Sequence, residues 1–175
     1  MQEQINEINE NKKIKNKKNI KDIKNMKNYL NNKPILQTLL SFLLIMFCEL
    51  MVSYIISYQA SITGATNIQK DSFTTATTIN QLLYNMFIIV ITVLTEEFIF
   101  RKVIINLIGK FSVTALYISS FLFAFAHYFD LITFPFYFIA GMILGKLFIN
   151  TKDIKYPIIT HLLVNYTIML IYYII

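Results

Sequence analysis

The chain has 175 residues, of which 55% are hydrophobic, with a formal net charge of +6 and a mean hydropathy of +0.53. An ordinary soluble domain does not carry this much apolar sequence in long runs, so the composition excludes that class. The single cysteine, Cys48, excludes an intramolecular disulfide and a metal cluster built on cysteine. We therefore predict an all-α membrane protein, a bundle of about five transmembrane helices around a buried polar site.

Residues 1–33 form a polar segment that carries nine lysines against four acidic residues. A basic segment just before a spanning helix is typical of a cytoplasmic tail that fixes the orientation of the chain, and we predict this role. The same residues could form a short amphipathic helix on the membrane surface or stay disordered. No arginine or aromatic pattern indicates base recognition, so no nucleic-acid partner is expected.

Residues 34–79 are predicted to hold the first transmembrane helix, which runs from Ile35 to about Tyr58, and then an external loop rich in Thr and Ser. One acid, Glu49, lies inside this helix. It could line a cavity, or it could be a tolerated acid that faces neighbouring helices. We leave it outside the predicted site.

The second span contains two adjacent glutamates. The purely apolar stretch at residues 86–94 is too short to cross a hydrocarbon layer of ~30 Å, which needs ~20 helical residues. No Gly or Pro stands within residues 81–107, so nothing interrupts a helix that runs on through Glu96 and Glu97 and ends near Ile108. The paired glutamates are therefore predicted to lie at membrane depth.

Three further spans are predicted at residues 111–129, 136–148 and 157–175. Gly141 and Gly145 have the spacing that lets helices approach closely, and we predict a packing role for them. The loops on one side of the membrane hold almost all the Lys and Arg residues beyond the tail, and the other side holds only Lys70. This asymmetry predicts a multi-pass protein of the cell membrane with a cytoplasmic N-terminus.

The two glutamates are predicted to have different partners. An ionisable side chain at membrane depth costs at least ~2.5 kcal/mol on insertion scales, and it normally faces the interior of the bundle. Glu97 and Arg101 are four residues apart on one helix face, so we predict that they form a buried ion pair. Glu96 points about 100° away on an α-helix, so it must find another partner.

Both histidines of the chain lie in predicted spans. His127 follows Phe123 by four residues and His161 precedes Asn165 by four, which places each pair on one helix face. A lone histidine in a span is often a hydrogen-bonded core residue. Two histidines together with two glutamates, an arginine and an asparagine instead indicate a buried functional site.

Two hydrolytic chemistries fit this set of residues. A carboxylate and two imidazoles could bind zinc and leave a fourth position for water, with His127, His161 and Glu96 as the ligands. Without a metal, Glu96 would be the general base that activates water, and a histidine with Asn165 would donate hydrogen bonds to the developing oxyanion. Both schemes hydrolyse an amide. No H-E-x-x-H motif is present, so the choice stays open.

Three short motifs follow one another along the chain: E-E-F-I-F-R at 96–101, F-A-F-A-H at 123–127 and H-L-L-V-N at 161–165. In this order they resemble the E-E-x-x-x-R, F-x-x-x-H and H-x-x-x-N motifs of the CAAX protease and bacteriocin-processing family of intramembrane endopeptidases. The resemblance covers residues 80–175, which we predict to be the protease core.

This resemblance implies an all-helical membrane fold with a cavity that opens to the cytoplasm. It implies that Glu96 activates the water, with support from Glu97 and Arg101. The substrate would be a membrane-associated peptide. We predict an intramembrane endopeptidase that acts in peptide maturation or in bacteriocin self-immunity, like the bacterial members of the family.

For the remaining site residues, the resemblance implies that His127 orients or ligates, and that His161 with Asn165 completes the site. Members of the family are described both as metalloproteases and as glutamic proteases, so a zinc cofactor stays an open expectation. Many members have more spans than the five predicted here. Either the missing spans are dispensable, or the protein needs a partner chain or forms a homo-oligomer.

The predicted depths of the site residues disagree with one another. Counted from the cytoplasmic turns at 1.5 Å per residue, the depths differ by roughly 18 Å, with the extremes at His127 and His161. These groups can meet only if the helices tilt or if the loop at 150–156 dips into the membrane.

Two other functions compete with the protease. A non-catalytic bacteriocin-immunity or scaffold protein would bind a partner and keep the polar residues for shape. A small transporter would use them as a proton relay, but a chain of about five spans without an internal repeat is a poor transporter.

Overall fold

The computed structural model describes residues 12, 33–63, 78–109, 112–127 and 131–174, without the side chains of residues 172 and 174. The chain divides into two compact units, Met1–Gln37 and Thr38–Ile175. In the first unit, the described residues are Lys12 and the short stretch in which Pro34 begins a helix. The predicted basic tail, residues 1–33, therefore lies almost entirely outside the described residues.

The described part of the chain is helical, and it contains no strand. In chain order the helices are α1 (Pro34–Thr63), α2 (Ile79–Glu97), a π-helical segment (Phe98–Ile104), α3 (Ile105–Gly109), α4 (Val113–Ala126), α5 (Phe134–Thr151) and α6 (Lys155–Ile174). The five long helices follow the predicted order. The prediction of an all-α membrane protein is confirmed.

Local sequence explains where several helices begin and end. The side chain of Ser112 caps α4 by accepting a hydrogen bond from the backbone N–H of Ala115, which satisfies one of the free donors of the first turn. Pro135 stands in the first turn of α5, where its missing N–H does no harm. Lys152 ends α5 with a φ of 56°, and its N–H bonds to the carbonyl of Phe148. The fourth predicted span is therefore longer than its apolar residues alone suggest.

The second predicted span is unbroken, as expected, but its winding changes. The chain stays helical from Ile79 to Gly109, and the stretch Phe98–Ile104 directly after the paired glutamates is π-helical. A π-helix closes i→i+5 hydrogen bonds, is rare, and often occurs at functional sites. Nothing in the hydrophobic pattern predicted this segment.

The predicted packing role of the two glycines is confirmed, because α4 and α5 touch at both. A Cβ on Gly141 would lie 3.1 Å from the Cα of Ser120, and a Cβ on Gly145 would lie 2.5 Å from Cδ1 of Leu116. Only residues without a side chain allow this close approach. The contact fixes α4, which carries one of the two histidines, against α5.

One apolar cluster helps to explain how His161 and Glu97 meet in spite of the predicted offset in depth. Ile154, in the loop before α6, packs against the buried residues Ile105 and Ala115. From that level, His161 lies seven residues along α6 and Glu97 lies eight residues back along its own helix. This contact places the loop at 150–156 deeper along the bundle than the count from the cytoplasmic turns assumed, which is one of the two ways in which the groups were expected to meet.

Other apolar contacts pack α6 against three of the described helices. Val164 packs with Ile45 of α1 and Leu144 of α5. On another face, Met169 packs with Ile89 and Val93 of α2. These contacts bring the middle of α6 against the helix that carries both glutamates. Glu49, whose role stays open, is half-buried on α1.

By length and composition, two helices of the described part could cross a membrane, Pro34–Ile62 and Phe134–Thr151, and Val113–Ala126 is a shorter apolar helix. Many large apolar side chains on the helices point outward, including Phe47, which is 57% exposed. An exposed apolar surface of this kind suits contact with lipid. The helix α2 is less apolar because it ends in two glutamates.

Candidate active site

The innermost pair of the site consists of Glu97 and Arg101. Nε of Arg101 donates to Oε2 of Glu97 over 3.0 Å, and neither side chain has any exposed surface. The predicted ion pair is confirmed. Both charges are buried, so each compensates the desolvation of the other, and removal of one would leave an uncompensated charge.

The other groups around Arg101 come from α4 and the π-helical segment. Its NH1 donates to Oγ of Ser119 over 3.2 Å, and its guanidinium lies 5.0 Å from the centre of the Phe123 ring. Ser119 in turn donates to the backbone carbonyl of Phe100 over 2.6 Å. NH2 of Arg101 has no hydrogen-bond partner among the described residues.

His161 links the two glutamates. Its Nδ1 lies 3.0 Å from Oε1 of Glu97, and its Nε2 lies 3.7 Å from Oε2 of Glu96. Glu97 is a carboxylate in its pair with Arg101 and can only accept, so Nδ1 of His161 carries the proton of this bond. This leaves Nε2 as the atom that faces Glu96.

His127, at the C-terminal end of α4, also faces the carboxylate of Glu96. Its Nδ1 bonds to the carbonyl of Phe123 over 2.8 Å, and a carbonyl can only accept, so Nδ1 carries the proton. Its Nε2 lies 3.4 Å from Oε1 of Glu96. Glu96 thus finds the second partner that its rotation away from Arg101 required.

Glu96 and the two histidines that face it are partly exposed. The side chains of Glu96 and His127 are 19% and 21% exposed, and that of His161 is 10% exposed. Both distances to Glu96 exceed those of an ordinary N–H···O hydrogen bond, which are about 2.7–3.2 Å. A carboxylate and two imidazole nitrogens therefore converge with room to exchange a proton with a water molecule or a substrate.

Aromatic rings fix the orientation of both imidazoles. The Phe123 ring centre lies 4.4 Å from that of His127 and 5.9 Å from that of His161. On its other side, His127 stacks on Tyr137 of α5 at 4.9 Å. Contacts of this kind orient aromatic side chains more closely than apolar burial alone.

Asn165 is the predicted site residue that the structure does not join to the others. It is half-buried one turn beyond His161, and it makes no hydrogen bond to the described residues of the site. Its role as an oxyanion donor stays a prediction. The other five predicted residues, Glu96, Glu97, Arg101, His127 and His161, are linked by direct contacts.

Two residues that contact the site, Ser119 and Tyr137, were not among the predicted ones. A polar pair, Ser119–Ser120, stands in the middle of an otherwise apolar span, and this signal could have indicated Ser119. No pattern in the sequence singles out Tyr137 among the aromatic residues of α5. Its contact with His127 depends on how α4 and α5 pack.

The donor set suits zinc in kind, because Nε2 of His127, Nε2 of His161 and the carboxylate of Glu96 face one another and each Nδ1 is anchored elsewhere. Within the described residues, no group of three or more His, Cys, Asp or Glu side chains lies close enough together in this structure to hold a metal ion. Zinc stays a prediction, and no step below depends on it.

Comparison with known proteins agrees with the motifs. The family model described as type II CAAX prenyl endopeptidase Rce1-like matches residues 78–167. The chain is 31% identical over 137 residues to the membrane-embedded CAAX protease MroQ of Staphylococcus aureus (strain USA300), and the alignment covers 73% of this chain and 53% of the relative. This chain therefore spans about half the length of that curated relative. No solved structure gives a significant match.

Proposed function

This chain belongs to the family of type II CAAX prenyl endopeptidase Rce1-like proteins, and from this membership we propose that it is an intramembrane endopeptidase whose general base is Glu96. The family identified from the three motifs, the CAAX protease and bacteriocin-processing family, is thereby confirmed. Membership supports a membrane endopeptidase at the level of the family. The glutamate-driven reaction and the residue roles are the parts that we add.

One observation carries the proposal: a partly exposed carboxylate, Glu96, is faced by Nε2 of His127 at 3.4 Å and by Nε2 of His161 at 3.7 Å. A general base must be open to the water that it activates and must be held by neighbours that exchange protons with it. Glu97 lacks the first property because it has no exposed surface and is held by Arg101.

In the proposed reaction, Glu96 takes a proton from water while the water oxygen attacks the carbonyl carbon of the scissile peptide bond. Glu96 then returns that proton to the leaving nitrogen as the C–N bond breaks, so the carboxylate is regenerated. A positioned base of this kind contributes about 10²–10⁴-fold to a rate.

The oxyanion of this reaction needs hydrogen-bond donors. A histidine that holds a second proton on Nε2 can donate from that atom, and both His127 and His161 present Nε2 toward Glu96. The side-chain amide of Asn165, one turn from His161, is the further proposed donor. Removal of one such donor from an oxyanion hole costs about 10²–10³-fold in kcat.

Family membership supports a substrate in the membrane or beside it. We propose a membrane-associated peptide, with roles in peptide maturation or bacteriocin self-immunity. The basic segment 1–33 supports an N-terminus in the cytoplasm and a multi-pass topology. A partner chain or a homo-oligomer, which would supply the further spans that many members of the family have, is part of the proposal.

The test is cleavage of two quenched fluorescent peptides by the purified full-length chain in lipid vesicles. One peptide ends in a prenylated Cys followed by three residues, the CAAX form, and the other is anchored by an unmodified apolar segment. Wild type and Glu96→Ala are compared, each with and without a chelator. We expect wild type to cut at least one peptide and Glu96→Ala to lose about 10²–10⁴-fold of that rate.

The chelator separates the two chemistries. Loss of cleavage in Glu96→Ala without an effect of the chelator supports the glutamate-driven reaction. Loss in both cases indicates that cleavage also depends on a metal ion. Cleavage by folded Glu96→Ala at the wild-type rate would contradict the proposal and favour the non-catalytic immunity or scaffold protein.

A further inference from the structure

Ser119 is a buried hydroxyl that belongs to none of the three motifs. We propose that it is a positioning residue, which holds Arg101 and through it the orientation of Glu97 and His161. This inference rests on the proposed function, because the effect is read in peptide cleavage. It adds a residue of α4 to a site whose motif on that helix supplies only Phe123 and His127.

The hydroxyl of Ser119 acts both as a hydrogen-bond donor and as an acceptor. It donates to the carbonyl of Phe100 over 2.6 Å and accepts from NH1 of Arg101 over 3.2 Å. It therefore bonds to two adjacent residues of the π-helical segment, one through the backbone and one through the side chain. Its own side chain is fully buried, so water cannot replace either bond without entering the core.

Arg101 depends on this hydroxyl for its place. Its Nε bonds to Glu97 on its own helix, its NH2 has no partner among the described residues, and Phe123 supplies only a ring face at 5.0 Å. Within the described residues, the hydrogen bond to Ser119 is thus the one that ties the guanidinium to another long helix. Without it, the guanidinium is free to turn about its bond to Glu97.

A turn of the guanidinium would be transmitted to the catalytic groups. Oε2 of Glu97 accepts from Arg101, and Oε1 of the same carboxylate faces Nδ1 of His161 at 3.0 Å. If the carboxylate rotates, His161 loses the acceptor that fixes its ring, and its Nε2 moves relative to Glu96. A misplacement of about 1 Å in a catalytic group can cost about 10²-fold in rate. Ser119 itself touches neither Glu96 nor either histidine in the described contacts.

The chain offers a matched control in the next residue. Ser120 is also fully buried, but its hydroxyl donates to the carbonyl of Leu116 on its own helix over 2.7 Å. Ser119→Ala and Ser120→Ala remove the same atom from adjacent buried positions of α4. Only the first removes a bond to the π-helical segment.

The experiment measures cleavage of the peptide that wild type cuts, over a range of pH, for wild type, Ser119→Ala, Ser120→Ala and Ser119→Thr in lipid vesicles, with thermal unfolding of each. We expect Ser119→Ala to lose about tenfold in kcat with little change in KM, because a displaced group raises the barrier without removing substrate contacts. Its pH–rate profile also changes shape, since the neighbours of Glu96 and His161 have moved. Ser120→Ala keeps the wild-type profile, and Ser119→Thr, which keeps the hydroxyl, recovers most of the loss.

A second background tests the route through Arg101. If Ser119 acts through that guanidinium, Ser119→Ala causes little further loss in an Arg101→Lys chain, because effects of residues that act as a unit do not add. Three results would overturn the inference: equal rates for the two alanine variants, a Ser119→Ala profile that is only scaled down at every pH, or full additivity with Arg101→Lys.

The two proposals can fail separately. If wild type cuts the peptide and Glu96→Ala does not, the proposed function stands, and the Ser119 variants then decide the positioning role alone. If Glu96→Ala cuts at the wild-type rate, the proposed function fails and the positioning role falls with it.

Discussion

Glu96 and Glu97 are adjacent in the chain and chemically identical, yet they lie in two different halves of the site. Glu97 has no exposed surface and bonds to Arg101, which in turn bonds to Ser119. We call this group of buried residues the dry half of the site. Glu96 is 19% exposed and faces two imidazole nitrogens at 3.4 and 3.7 Å, in an open half. A single step of about 100° along a helix separates the two environments.

This difference indicates that the dry half stabilises the arrangement of the site and that the open half is suited to proton transfer. In the dry half, every charge is compensated by a buried partner, so the groups stabilise one arrangement and have no access to water. In the open half, the carboxylate has partners that can gain or lose a proton, and its side chain is 19% exposed. His161 belongs to both halves, since one of its nitrogens faces each glutamate.

The largest expected effect breaks the dry half. Arg101→Ala leaves the carboxylate of Glu97 buried with only His161 as a partner, so we expect the free energy of unfolding to fall by about 3–5 kcal/mol. Denaturant-induced unfolding in detergent micelles measures the change. The matched control is Lys102→Ala, because Lys102 is the next residue and its side chain is exposed. Equal stability of the two variants would show that the buried pair does not hold the fold.

The next effect concerns the residue that joins the halves. His161→Ala is expected to lower kcat by about 10²–10⁴-fold and also to lower stability by about 1–3 kcal/mol, because Oε1 of Glu97 loses a buried partner. His127→Ala serves as the control, since its contact with Glu96 lies wholly in the open half. We expect it to lower kcat with little loss of stability. If both variants lose only activity, His161 does not join the halves.

Some features of the two halves could be predicted from the sequence, and others could not. The order of the helices followed from the succession of apolar runs along the chain. The Glu97–Arg101 pair and the need of Glu96 for another partner followed from spacing along one helix. The role of Ser119 and the stacking of Tyr137 on His127 did not, because they depend on how α4 packs against its neighbours. The depth of the loop at 150–156 could not be predicted for the same reason: Ile154 packs against Ile105 and Ala115, and no local pattern shows that.

A further prediction concerns Asn165, the proposed oxyanion donor next to the open half. It makes no hydrogen bond to the described residues of the site, so Asn165→Ala is expected to leave the unfolding transition unchanged. If Asn165 donates to the oxyanion, kcat falls by about 10²–10³-fold while KM changes little. Steady-state kinetics on the vesicle-bound protein gives both numbers. A change in KM alone would assign Asn165 to substrate binding instead.

The smallest effect comes from an ion pair outside both halves. Lys155 bonds to Asp153 over 2.8 Å at the surface, and this hydrogen bond holds the pKa of Asp153 below its ordinary value. A lowered folded-state pKa adds stability above the unfolded value of about 3.9, and that contribution is lost as the pH falls through the folded value. We therefore expect Asp153→Asn to keep wild-type cleavage. Any small difference in stability at neutral pH should vanish in acid and weaken in salt.

The most direct test of the division between the two glutamates is a paired measurement on Glu96→Gln and Glu97→Gln, which keep the shape of the side chain and remove its charge. Cleavage of the peptide and unfolding in detergent are recorded for both variants. We predict that Glu96→Gln loses cleavage and keeps its stability, and that Glu97→Gln loses stability by more than Glu96→Gln does. Wild-type cleavage by folded Glu96→Gln, or equal stability of the two variants, would contradict the account.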